Sequence, residues 1–155
     1  MGLNIADLRI TSSSFENHGK LDRKHSHEAD DVSPELSWSG VPDGTRSLAV
    51  ICHDPDAPLP FGFTHWVTYG IPAHVTSIDE GDHAPYTQGT TDFGNQRYNG
   101  PLPPEGHGTH HYYFWVYALD TEVGDGAGLS RAEFLGRYGD NIIEQNRTVG
   151  TYARG

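Results

Sequence analysis

Residues 111–119 read His-Tyr-Tyr-Phe-Trp-Val-Tyr-Ala-Leu, and this run decides the fold. Side chains of a β-strand alternate between the two faces of a sheet, and after the first histidine both alternating sets are aromatic or aliphatic. A strand of this composition is buried on both of its faces. The run therefore predicts a central strand with a layer packed on each side.

Neighbouring runs predict further strands. Residues 47–53 are almost continuously apolar between turn signals, and residues 64–71 form the next strand, which Pro72 ends. Weaker strand signals lie at residues 8–11, 36–39 and 149–153. The strands are separated by turns, since the chain contains 19 glycines and 10 prolines in 155 residues. These patterns predict a mainly β protein built on a large sheet.

One helix is predicted in the C-terminal part. Ser130 and Glu133 match a capping box, in which each side chain accepts a hydrogen bond from the other residue's backbone N–H. An apolar stripe follows, formed by Phe134, Leu135, Tyr138 and Ile142. We expect Gly139-Asp140 to divide the segment into two short helices, with Asp140 capping the second.

A long segment, residues 79–108, contains no comparable apolar run and is dense in Gly, Pro, Asn and Asp. A loop of this length in a compact protein is usually functional or carries short strands. We therefore expect this segment to have a function, to contain short strands, or both.

Charge and length limit the possible partners. The chain has 21 acidic and 10 basic side chains, a formal net charge of −11. Such a charge repels the phosphates of nucleic acids and of anionic bilayers, so neither is expected as a partner. The length suits one domain covering residues 1–155.

Cysteine usage and hydropathy favour the cytoplasm. Cys52 is the single cysteine, which excludes an internal disulfide and suits a reducing compartment. Residues 1–10 include Asp7 and Arg9 and lack an apolar run of signal-peptide length. No stretch approaches the roughly 20 apolar residues of a membrane span. We expect a cytoplasmic protein without stable membrane insertion.

Two carboxylates and a histidine stand out near the ends of predicted strands. Asp54 and Asp56 lie in the turn Asp-Pro-Asp-Ala-Pro at residues 54–58, where proline limits flexibility and lets both carboxylates point to one side. Closing an Asx turn is the alternative role for both. His65 lies inside the next strand, where a purely structural role is the alternative.

A second group of polar residues begins the central strand. His110 and Tyr112 face the same way by the two-residue period, whereas His111 faces the opposite side. Two imidazoles and a phenol can donate hydrogen bonds to an anion. Nearby carboxylates would favour the protonated form of the imidazoles.

These motifs resemble the phosphatidylethanolamine-binding protein family, in particular its bacterial branch of Raf kinase inhibitor-like proteins. The resemblance rests on residues 54–58, on His65-Trp66, on residues 106–112 and on residues 116–120. Supporting stretches lie at residues 33–38, 99–104 and 150–152.

The resemblance implies a β-sandwich-like fold around a large antiparallel sheet, with a pocket for phosphate-like anions at one end. It implies that Asp54 and Asp56 line the pocket and that His65 and His110 donate to the anion. Tyr112 and Pro103-Pro104 would help to form the walls. It also implies a cis peptide at Ala57–Pro58 and a homodimer.

One position departs from the family pattern, because His111 stands where the family usually has Arg. Arginine is always charged and offers a planar fork of donors, whereas histidine is neutral over much of the physiological range. We therefore do not expect kinase-type partner binding to carry over to this chain.

We expect a binding protein for a small anionic or zwitterionic ligand, such as phosphate or phosphoethanolamine, without a cofactor. The first alternative is a hydrolase with His65 or His110 as general base, although no nucleophile is evident and Cys52 lies in a predicted buried strand. The second alternative is a metal site formed by His107, His110 or His111 with an Asp, although these supply few of the four ligands of structural zinc.

Overall fold

The computed structural model describes residues 7–154, and most of its regular elements are strands. The strands are β1 (Arg9–Thr11), β2 (Gly19–Lys20), β3 (Leu36–Ser39), β4 (Ser47–Asp54), β5 (Phe63–Pro72), β6 (Ser77–Ile78), β7 (Thr87–Gln88), β8 (His110–Leu119) and β9 (Ile142–Tyr152). Helix α1 spans Arg131–Tyr138, and short 3-10 helices span Arg23–His25 and Gly139–Asn141. No helix between residues 7 and 154 is long and apolar enough to cross a membrane. The mainly β prediction is confirmed.

The strands form two sheets that pack face to face. The larger has six strands in the order β2-β9-β8-β4-β5-β7, and the smaller has the order β1-β3-β6. Neighbours pair antiparallel except for β2 and β9, which are parallel. One apolar cluster contains Trp38 from the small sheet and Val50 and Phe114 from the large one. Burial of this shared cluster holds the two sheets together.

Strand β8 lies between β9 and β4, which confirms its predicted central position. One face is buried along its whole length, but on the other face Tyr113 and Trp115 are only half-buried. Their rings stack on each other with centroids 6.2 Å apart. Tyr117 and Leu119 are buried in the cluster that contains Phe134 of α1, and Trp115 packs against the edge of this cluster. The expected second layer therefore covers only the C-terminal half of β8.

The capping box of α1 is present, but the sequence after it behaves differently from the prediction. The Ser130 side chain accepts from the Glu133 N–H at 3.1 Å, and the Ser130 N–H donates to the Glu133 carboxylate at 3.0 Å. Asp140 does not cap a second α-helix, because it lies inside the short 3-10 helix. Ile142 is not part of the helix either. It begins β9 opposite Leu119, because the extended ladder with β8 outweighs helix propensity there.

The segment of residues 79–108 does carry a short strand, as expected. Strand β7 pairs with β5 at the edge of the large sheet. The buried Gln88 side chain accepts from the Trp66 indole N–H at 3.0 Å and donates to the Thr68 hydroxyl at 2.9 Å. These bonds fasten the long loop to the sheet.

The expected cis peptide at Ala57–Pro58 is wrong, since no peptide bond between residues 7 and 154 is cis. The turn closes with a trans bond through two hydrogen bonds. The Asp56 N–H donates to the Asp54 carboxylate at 2.7 Å, and the Leu59 N–H donates to the Ala57 carbonyl at 2.7 Å. The trans form is the ordinary preference of an X-Pro bond.

The inter-sheet core predicts a large difference between two phenylalanines. Phe114→Ala should lower the free energy of unfolding by about 3–5 kcal/mol, because it leaves a cavity in a closely packed core. Phe61→Ala should change it by less than about 0.5 kcal/mol, because surface substitutions remove few contacts and this ring is 87% exposed. Urea unfolding followed by fluorescence measures both, and equal losses would contradict the assigned core.

Candidate ligand-binding site

Three strands of the large sheet meet at one of its ends. There β4 ends at Asp54, β5 begins at Phe63 and β8 begins at His110. Antiparallel pairing sets His53 opposite both Thr64 and Tyr113. Because side chains alternate along a strand, the residues next to these three in sequence project from the opposite face. Asp54, His65 and Tyr112 are thereby brought together and are buried.

These residues line a cavity of about 310 Å³ at that end of the sheet. Its walls are formed by Asp54, Ala57, Pro58, Leu59, Phe63, His65, Phe93, Leu102, Pro103, Pro104, His110 and Tyr112. Six of the seven residues predicted for the site are among them, namely Asp54, His65, Pro103, Pro104, His110 and Tyr112. Asp56 is not.

The carboxylate of Asp56 is turned away from the cavity and pairs with His111. It accepts from the His111 backbone N–H at 2.7 Å and lies 2.8 Å from His111 Nδ1. The two carboxylates of the turn therefore do not point to the same side. The pairing with His111 also lowers the pKa of Asp56 against the opposing effect of its burial. His111 therefore forms its contacts on the outer side of the strand.

Asp54, by contrast, holds His110 inside the cavity. His110 Nδ1 lies 2.6 Å from Asp54 Oδ2, and both side chains are almost completely buried. A carboxylate accepts hydrogen bonds, so Nδ1 carries the proton of this contact. The other ring nitrogen, Nε2, lies 2.6 Å from Nδ1 of His107. From the sequence, His107 is grouped with His110 only as a candidate for a metal site.

His65 is held by the backbone rather than by a carboxylate. Its Nδ1 lies 3.0 Å from the Asn99 carbonyl and 3.1 Å from the Gly100 carbonyl. Since a carbonyl only accepts, Nδ1 carries the proton and Nε2 of the neutral ring is an acceptor. Burial lowers the pKa of His65 to about 4, outweighing the carbonyl bonds and the Asp54 charge that raise it. The expectation that carboxylates keep both imidazoles protonated is therefore wrong for His65.

Tyr112 presents a phenol with no hydrogen-bond partner among residues 7–154. Its ring meets His65 edge to face, with centroids 5.2 Å apart. Burial, together with the Asp54 charge, raises the pKa of Tyr112 far above its usual value. The hydroxyl therefore stays protonated and can donate a hydrogen bond.

Two aromatic rings, Phe63 and Phe93, pack against His65, which was not predicted from the sequence. The Phe63 and Phe93 rings meet edge to face with centroids 5.0 Å apart, and lie 5.5 and 5.3 Å from the His65 ring. Leu59 and Leu102 form the rim and are 51% and 37% exposed. The available signal was the presence of single large apolar residues within segments otherwise rich in glycine and proline.

Comparison with known proteins identifies the family. A family model described as phosphatidylethanolamine-binding protein matches residues 11–153. The chain belongs to the phosphatidylethanolamine-binding protein family. A UPF0098 protein of Aquifex aeolicus is 37% identical over 96% of this chain and 90% of its own length. The resemblance noted in the sequence is confirmed.

Solved structures of the family share this fold. The crystal structure of YbcL of Escherichia coli superposes with a TM-score of 0.91 at 33% identity, over 97% of this chain and 100% of the chain in that structure. The homologue CT736 of Chlamydia trachomatis gives a TM-score of 0.88 at 32% identity, over 96% of this chain and 98% of its own. The predicted sandwich of the phosphatidylethanolamine-binding protein type is thus confirmed.

The buried neutral His65 predicts how stability depends on pH. An unfolded imidazole takes up a proton as the pH falls below about 6.5, but the folded ring does so only near its pKa of about 4. The free energy of unfolding of the wild type should therefore fall by roughly 2–3 kcal/mol more than that of His65→Gln when the pH is lowered from 7 to 4.5. The Gln side chain cannot take up a proton, yet its amide can still donate to the Asn99 carbonyl.

Urea unfolding at several pH values measures this difference. The control is His74→Gln, which changes an exposed histidine beyond the far end of β5. It should keep the wild-type dependence on pH. The same dependence in all three proteins would show that the folded His65 ring is not held neutral.

Proposed function

We propose that this protein binds a small ligand carrying a phosphate or similar anion, as in phosphate or phosphoethanolamine. The observation that supports this is the convergence of Asp54, His65, His110 and Tyr112 in one cavity with otherwise apolar walls. Binding sites for small molecules commonly combine apolar walls with a few convergent polar groups. The matched family is itself described by the binding of a phosphorylated headgroup.

The size of the cavity favours a compact ligand. Its volume of about 310 Å³ lies at the low end of the usual range for small-molecule pockets. The polar groups belong to strand ends, whereas Leu59 and Leu102 form a partly exposed apolar rim. A ligand with a polar head and a short organic remainder fits this division better than a bare ion does.

The hydrogen-bonding groups favour a ligand that brings protons of its own. Asp54 and the neutral His65 Nε2 are acceptors, and the Tyr112 hydroxyl is a donor. An ammonium group suits the first two, and a phosphate oxygen suits the phenol. A zwitterion such as phosphoethanolamine therefore satisfies more of the site than an unprotonated phosphate dianion. With a net charge of −11, a freely diffusing ligand is favoured over a headgroup in an anionic bilayer.

The two alternative functions have less support. A hydrolase of the general-base type would need a nucleophile, but Cys52 lies in the core and burial holds its pKa well above the usual value. For a metal site, no group of three or more His, Cys, Asp or Glu residues suited to a metal ion occurs between residues 7 and 154. No specific contact among the described residues supports the hydrolase or the metal site.

Removal of the Tyr112 hydroxyl should weaken binding. Tyr112→Phe should raise the Kd for phosphoethanolamine by about tenfold or more, because hydrogen bonds to charged groups contribute about 1.5–3 kcal/mol. Isothermal titration calorimetry measures this. The matched control is Tyr113→Phe, which removes the neighbouring hydroxyl from the opposite face of β8 and should leave Kd unchanged. Absence of binding to wild type at millimolar ligand would contradict the proposed function.

Anion binding should also take up protons. A bound anion favours the protonated imidazole of His65, whose pKa is otherwise about 4, so affinity should rise as the pH falls. Asp54, His110 and Tyr112 are the other titratable groups lining the cavity, and Tyr112 stays protonated throughout. Sulfate is the probe, because it does not titrate between pH 7.5 and 5.5.

The sulfate association constant should increase by up to about tenfold per pH unit for each coupled proton. Calorimetry in buffers of different ionisation enthalpy counts these protons directly. In His65→Gln, the number of protons taken up when sulfate binds should be smaller by one, and the association constant should rise less steeply as the pH falls. A pH-independent affinity, or an unchanged proton count in the variant, would rule out direct contact between His65 and a bound anion.

A further inference from the structure

One contact closes the position from which His110 would bind an anion. His110 Nδ1 is already bonded to Asp54, so Nε2 is the ring nitrogen left to act on a ligand. That atom lies 2.6 Å from His107 Nδ1, and the two rings meet at 63° with centroids 4.9 Å apart. One proton is shared between these two nitrogens, whichever ring carries it.

The partner in this contact is placed to move. His107 is exposed, whereas His110 is 1% exposed. Gly106 and Gly108 flank His107 with φ angles of 73° and 96°, and no atom lies within 4 Å of where their Cβ atoms would be. Positive φ angles at these values are readily adopted by glycine. The imidazole can therefore swing into solvent without displacing packed side chains.

The loop that carries His107 is also a wall of the cavity. Pro103 and Pro104 line the cavity, and the His107 N–H donates to the Pro104 carbonyl at 3.0 Å. The Gly106 N–H is anchored to the Arg154 carbonyl, also at 3.0 Å. The loop backbone is thus fixed on both sides of Glu105, and motion is confined to the His107 side chain.

We infer that His107 is an internal competitor of the ligand: its imidazole holds Nε2 of His110, and an anion binds only by displacing it. This inference rests on the proposed function, because it concerns the same cavity. With the shared proton on Nε2, an anion oxygen takes the place of His107 Nδ1 as its acceptor, and His107 turns outward. The contact costs every ligand the same free energy, and an anion repays this cost best because its bond to the Nε2–H is charge-assisted.

Displacement of His107 costs free energy, and a ligand that is a weak hydrogen-bond acceptor does not recover this cost at Nε2. A hydrogen bond from Nε2–H to an anionic phosphate or sulfate oxygen is charge-assisted and about twice as strong as a neutral one. A neutral alcohol or amide offers no such gain over His107. Removal of His107 should therefore strengthen the binding of every ligand that has to displace it, by the same factor.

The test compares wild type, His107→Ala and the control His74→Ala by calorimetric titration with inorganic phosphate and with phosphoethanolamine. His107→Ala should bind both about three- to tenfold more tightly, because a competing hydrogen bond of about 0.5–1.5 kcal/mol no longer has to be broken. His74→Ala should match wild type. In wild type, the ¹⁵N resonances of the His107 ring should shift when phosphate saturates the site.

The outcomes separate this inference from the proposed function. If phosphate binds wild type and His107→Ala equally well, or binds the variant more weakly, His107 is not a competitor and the inference fails alone. If the His107 resonances do not respond to saturating phosphate, it fails in the same way. If neither protein binds either ligand at millimolar concentration, the proposed function and the inference both fail.

Discussion

The antiparallel register of β4 with β5 and β8 is the constraint on which the site depends. It places His53 opposite Thr64 and Tyr113, so their sequence neighbours project together from the other face. A shift of any one strand by a single residue would turn its polar group to the wrong face of the sheet. The apolar core between the sheets specifies this register, because the same shift would expose side chains such as Phe114. The register of these strands thus determines both the packing of the core and the convergence of the polar side chains.

Burial then decides what the polar groups can do. The Phe63 and Phe93 rings remove water from His65, which lowers its pKa to about 4 and leaves an acceptor where a cation was expected. The same low-polarity surroundings keep the Tyr112 phenol protonated. In the cavity, Asp54 and the neutral His65 therefore offer acceptors, and Tyr112 offers a donor.

Histidine contacts outside the cavity complete the electrostatic arrangement. His111 engages Asp56 on the outer side of β8, which leaves Asp54 as the carboxylate that lines the cavity. His107 approaches His110 from the loop that carries the wall prolines. One buried histidine is thus bonded at both of its nitrogens, to a carboxylate on one side and to a mobile imidazole on the other. Under the proposed function, the affinity for an anion depends on the free energy needed to break the second contact.

The sequence by itself determined the mainly β fold, the central position of residues 111–119 and the capping box at Ser130, because alternation and capping act between residues close in sequence. It also indicated six cavity residues through motifs that resemble a known family. Only the tertiary structure decided that Asp56 turns outward, that His65 is neutral and that His107 contacts His110. Each of these depends on side chains from distant segments, and the environment of a titratable group is created only when those segments pack together. For the same reason Ile142 joined a strand: its pairing with Leu119 exists only in the folded sheet.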